Sequence, residues 1–128
     1  MTTDVARPRH RFSGDGWTLE KYESEGLTVF AMSGEFDFAV SPKLRQIVGE
    51  HPPSGRAVAD MTAVTYCDSS CLQVLLGLAQ RLRDQGGRFA VATSVRAVAR
   101  PISLLRLDEL MPVHPTLEDA RSALDSRS

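Results

Sequence analysis

Apolar residues recur at two different periods along this chain, and each change of period marks an element. From Trp17 to Glu23 and from Leu27 to Met32 the pattern suits β-strands, and Glu25-Gly26 between them supplies a turn, which predicts a hairpin. Ser41-Pro42 opens a first helix running to about Gly49, because the serine accepts from orphan amides and the proline needs no donor at the first helical position. His51-Pro52-Pro53-Ser54-Gly55 reads as a loop delivering the chain into Ala57-Val58-Ala59-Asp60-Met61, a short apolar run suited to a central strand. Leu72, Leu75, Leu76, Ala79 and Leu82 then return at helical spacing, and Gly86-Gly87 stops that second helix. Arg88 to Thr93 reads as a strand. Val95, Val98, Ala99, Ile102 and Leu105 share the face of a third helix, which Pro101 should kink or divide near Arg100. Leu110 to Val113 is expected to add a last strand, and Pro115-Thr116 opens a terminal helix with Leu117, Ala120 and Leu124 on one face.

Strands alternating with helices after an opening β-hairpin predict an α/β fold: a mixed sheet of four to five strands with about four helices packed on it. The segment through Arg7, Arg9, His10 and Arg11 shows no apolar period, so residues 1–14 are expected to be a flexible tail before one domain over 15–125. Asp125 to Ser128 should fray.

Composition narrows the classes of function. With 128 residues, 42% of them hydrophobic, the chain has room for one core and not for two full domains. Fifteen basic against 16 acidic residues, a net charge of −1, offer no broad footprint for nucleic acid or an acidic membrane surface. No apolar stretch approaches the roughly 18 residues of a membrane span, and Met1 is followed by polar Thr2, Thr3 and Asp4, so a cytoplasmic protein without membrane insertion is expected. Cys67 and Cys71 lack redox-pair spacing and a nearby histidine, and they read as two small buried hydrophobes. His10, His51 and His114 are scattered and read as surface or loop residues, so no metal site is expected. With neither a glycine-rich phosphate loop nor a G-x-S-x-G elbow, no catalytic residues and no cofactor are expected.

The informative stretch is Val64-Thr65-Tyr66-Cys67-Asp68-Ser69-Ser70-Cys71-Leu72-Gln73, which sets a carboxylate and two hydroxyls at a strand-to-helix junction. Ser70 and Gln73 form the S-x-x-Q version of a capping box, which commits the Ser70 hydroxyl to the helix and leaves Ser69 just outside the first turn. Spacing alone supports nothing beyond a cap. An enzyme using Asp68 as base and Ser69 as nucleophile lacks a third group to orient them, and an aspartate is a poor base near its ordinary pKa.

More comes from resemblance. Ala57 to Leu76 resembles the signature of the STAS domain found in anti-sigma factor antagonists, where a strand ends in an Asp-Ser-Ser-Gly-Leu run. Gly34-Glu35-Phe36-Asp37 is similar to that family's Gly-Glu-hydrophobic-Asp motif, and Ser41-Pro42-Lys43-Leu44-Arg45 to its first helix. Gly86-Gly87 with Arg88 to Val91, then Val95 to Leu107 and Leu110 to Val113, follow its later order, so the likeness runs from Trp17 to Leu124.

The resemblance implies a non-enzymatic switch with a phosphorylation site at Ser69 and a partner surface of Asp37, Asp68, Ser69, Ser70, Cys71 and Gln73. The implied partners are an anti-sigma factor that is itself a serine kinase, bringing ATP and magnesium, and a PP2C-type phosphatase, with this chain a monomer. Capture of the anti-sigma factor would release a sigma factor. Two positions depart from the pattern: Cys71 and Arg106 stand where the family usually has glycine, the first implying altered docking or redox sensitivity, the second an altered helix end. A STAS docking subunit of a stress-sensing or lipid-transport complex is the alternative expectation.

Overall fold

The computed structural model describes residues 9–52 and 55–125. Six strands form one sheet in chain order, from β1 (His10–Gly14), β2 (Trp17–Ser24) and β3 (Leu27–Phe36) to β4 (Arg56–Cys67), β5 (Arg88–Ala92) and the two-residue β6 (Val113–His114). β1, β2 and β3 pair antiparallel, and every later pairing is parallel. Parallel neighbours need crossovers, and helices α1 (Ser41–Gly49), α2 (Ser69–Asp84) and α3 (Arg96–Leu104) supply them. α4 (Leu117–Asp125) closes the described chain.

The two faces of the sheet are covered unequally. Phe30, Met32, Phe36, Ala59, Met61 and Val64 point to the side carrying α1, α2 and α3, where Leu44, Leu75, Leu78 and Ile102 meet them in the main core. The opposite parity, Leu27, Val29, Val58, Ala90 and Ala92, packs under α4 through Ala120 and Leu124. Burial on both faces explains why the middle of the sheet reads as an apolar run in place of alternation.

Several expectations change. His10–Gly14, expected in the tail, pairs with β2 from His10↔Lys21 to Gly14↔Trp17 and makes a sixth strand; residues 1–8 of that tail and 126–128 of the expected frayed end lie outside the described residues, as do 53–54 of the loop. β4 is longer than the apolar run Ala57 to Met61 because register shifts against β3, between Ala31 and Ser33 and between Gly34 and Glu35, let pairing continue to Phe36↔Cys67. α3 runs unbroken through Pro101, which costs the helix a donor without dividing it. The last strand is Val113–His114, because Leu107–Glu109 winds into a single 3₁₀ turn first. His51, read as a surface or loop residue, is buried.

Gly34 carries the local reason for its motif. It has φ +94°, and a Cβ there would collide with the carbonyl oxygen of Gly16, which accepts from Glu35 N at 2.9 Å. Only glycine lets β3 pass this close to the β1–β2 turn.

Candidate functional site

β3 and β4 end side by side, and the two segments leaving them form one surface at the carboxyl ends of the parallel strands. Asp68 N donates to Phe36 O at 2.8 Å, and Cys71 Sγ donates to Asp37 O at 3.3 Å, so the loop entering α1 and the first turn of α2 are tied together. In open α/β sheets this end is where ligands bind.

Asp68, and not Ser70, caps α2. It is extended (φ −70°, ψ 156°), and its Oδ2 accepts from Ser70 N at 2.9 Å and from Ser70 Oγ at 2.7 Å. Ser70 therefore spends its hydroxyl on the cap residue, and Gln73 is exposed one turn on, without closing a capping box. The serine's hydroxyl and amide, in that order, hold the Asp68 carboxyl below its usual range, with Tyr66 Oη adding a bond to Oδ1 at 3.3 Å. The same carboxylate holds the Tyr66 phenol above its ordinary value.

Ser69 is thereby the first residue of α2, inside the first turn. It is exposed, and its hydroxyl has no hydrogen-bond partner among the described residues. Asp37 is exposed beside it in the chain's other loop, where Oδ1 accepts from Ala39 N at 3.1 Å in a local turn.

Cys71, expected on the partner surface, is wholly buried beneath this turn and offers a partner nothing to touch. Burial above all pushes the Cys67 thiol up to about 12 and the Cys71 thiol up to about 11. Both stay protonated near neutral pH, so the redox sensitivity expected of Cys71 has no thiolate to act through. Arg106 adopts φ +59°, the left-handed region that favours glycine, so its departure from the family pattern strains the turn after α3. Among the described residues no cluster of His, Cys, Asp or Glu is arranged to hold a metal.

Two residues of this surface escaped the sequence reading. Phe38, 73% exposed, and Tyr66, 46% exposed, are large hydrophobics on the two segments that meet here. Their signal was faint: an aromatic one place after a loop aspartate, and another just past a break in the strand period.

Residues 18–120 match the STAS domain. The chain belongs to the STAS domain family. An anti-sigma factor antagonist from Mycobacterium paratuberculosis, known as a crystal structure, is 33% identical, covers 89% of this STAS chain and 98% of its own, and superposes with a TM-score of 0.77. The anti-sigma F factor antagonist of Paenibacillus polymyxa is 26% identical over 110 residues, 84% of this chain and 94% of its own. The Bacillus cell fate determinant SpoIIAA in its phosphorylated form shares the STAS fold at 16% identity, with a TM-score of 0.63 over 82% of this chain and 97% of its own. Among the described residues no helix is long and apolar enough to cross a membrane.

Proposed function

We propose that this STAS domain protein is an anti-sigma factor antagonist whose docking to an anti-sigma factor is switched by phosphorylation of Ser69. The observation that carries the reading is the Ser69 hydroxyl, exposed and unbonded among the described residues at the head of α2, on the surface shared with Asp37 and Asp68. A kinase needs such a hydroxyl within reach, and a docking partner needs such a surface.

The charge balance makes the switch. A phosphate at Ser69 adds about −1.5 to −2 charges where the helix dipole favours an anion, but the Ser70 amide there is already occupied by the Asp68 carboxylate. The two effects oppose each other in the free protein, and because the group is solvated the fold tolerates it. In a complex the dianion loses its water beside Asp68 and Asp37, and binding is lost. Unmodified Ser69 is the capturing form; a PP2C-type phosphatase regenerates it; the kinase brings the ATP and magnesium, so this chain needs no cofactor and no catalytic residue. Phe38 and Tyr66 give the capturing form its apolar contacts, since exposed aromatics are the side chains that most often anchor such interfaces. In this reading the protein acts in the cytoplasm as a monomer.

The test is calorimetry with the anti-sigma factor, comparing the parent with Ser69→Asp. Binding is expected to weaken by about 2 kcal/mol, roughly thirtyfold, with the far-ultraviolet spectrum unchanged. Equal affinity of the two proteins would sink the switch. Incubation with the partner and ATP, followed by mass spectrometry, should place phosphate on Ser69 alone.

A further inference from the structure

The geometry points to a pH-sensitive latch: His51, sealed between the end of α1, β2, β3 and α2 with neither ring nitrogen bonded, holds α1 in place only while its ring is neutral. His51 follows α1, and its backbone N–H donates to Val48 O at 3.0 Å. The side chain folds inward, leaving the residue 5% exposed, and the ring stands edge-on to Phe30 with centroids 5.6 Å apart at 78°. Neither Nδ1 nor Nε2 has a hydrogen-bond partner among the described residues.

An imidazolium carries two donors and would need acceptors for both. At this end of α1 a cation already uses two carbonyls: Arg81 of α2 donates to Val48 O at 3.2 Å and to His51 O at 3.4 Å. The charged groups facing the ring are Lys21 and Glu23 from β2 and Arg81 from α2. Two of the three are cations, and the carboxylate of Glu23 already accepts from Thr28 Oγ1 at 2.6 Å. From β3 the Phe30 ring faces it. Among the described residues, a positive charge placed on this ring has no acceptor within hydrogen-bond distance of either nitrogen and a net positive surround.

Burial first, then Lys21, and last Arg81 lower the pKa of His51 from 6.5, with Glu23 opposing them. The sign follows: the unfolded chain takes up its proton near 6.5 and the folded chain only below that, so stability falls as pH drops through the unfolded value. Even the neutral ring leaves an N–H unpaired in the core, a loss an apolar side chain of similar size would avoid. The neutral ring, packed edge-on to Phe30, thus holds α1 less firmly than an apolar side chain would, and the imidazolium does not hold it, whether or not Ser69 is modified.

Amide hydrogen exchange on the full chain, corrected for intrinsic rates, tests the latch. Between about pH 8 and about pH 5, protection of Leu44 to Glu50 should fall about tenfold relative to β3, while His51→Leu should hold it level. Equal pH dependence in the two proteins overturns the proposal. Should His51→Leu fail to fold, the ring signals of the parent decide by nuclear magnetic resonance. Titration below 6.5 supports the latch, and titration at or above 6.5 overturns it.

Discussion

Asp68 sets both the start of α2 and the availability of Ser69, since its carboxylate takes up the Ser70 amide and hydroxyl and leaves the neighbouring hydroxyl without a partner among the described residues. Asp68→Ala should fray the first turn of α2 and lower Tm, whereas Asp68→Asn keeps an accepting oxygen and should lose less, as thermal melts at neutral pH would show. The carboxyl is held below its unfolded value of 3.8, so its contribution is present above that pH and disappears as pH falls through the lower folded value. The Asp68→Ala deficit should therefore shrink in acid. The sequence misdirected the cap to Ser70 because serine and aspartate are equally good caps and only the Ser70 frame offered a glutamine three places on. Pairing of Cys67 with Phe36 decides the contest, since it keeps the chain extended up to Asp68 and forces the helix to begin at Ser69. His51 was misread for a related reason: the following prolines advertise a loop, and nothing in the local pattern says that the side chain turns inward onto Phe30.

Glycines separate two kinds of constraint on the elements. Gly34→Ala puts a side chain against the Gly16 carbonyl at φ +94° and should cost about 2–3 kcal/mol in urea unfolding. Gly77 lies inside α2, and a Cβ there would meet nothing beyond its own helix backbone within 4 Å, so Gly77→Ala should raise stability by about 0.5–1 kcal/mol in the same assay. A neutral Gly34→Ala would refute the close approach of β3 to Gly16. The long periodic elements were legible: the hairpin, α1, α2 and the stripe of α4 follow from spacing. β1 was not, because Arg9, His10 and Arg11 mask its period with charge, and it is held by backbone pairing with β2 more than by buried side chains. The far half of β4 was hidden as well, since two register shifts break the alternation that reading by period two requires.

For the whole molecule, the unequal layering makes α4 the sole helical cover of one sheet face among the described residues. Ending the chain at Thr116 would bare Leu27, Val29, Val58 and Ala90, and the truncated protein is expected to lose cooperative melting by circular dichroism and to elute as aggregate. A soluble, cooperatively folded truncation would refute that role. The alternation of strands and helices made the class of fold readable, but not which face each helix takes, because the stripes of α2 and α4 are alike in kind. The candidate site was readable as motifs, through resemblance; the meeting of Asp37's loop with the head of α2 depends on contacts distant in sequence, and Phe38 and Tyr66 gain meaning only there. The borders of the sheet carry a last consequence. One is β1, studded with exposed His10 and Arg11, and the other is only two residues long, so neither offers a flat, neutral rail on which further chains could stack. A chain with such borders can be held at high concentration without seeding fibrils.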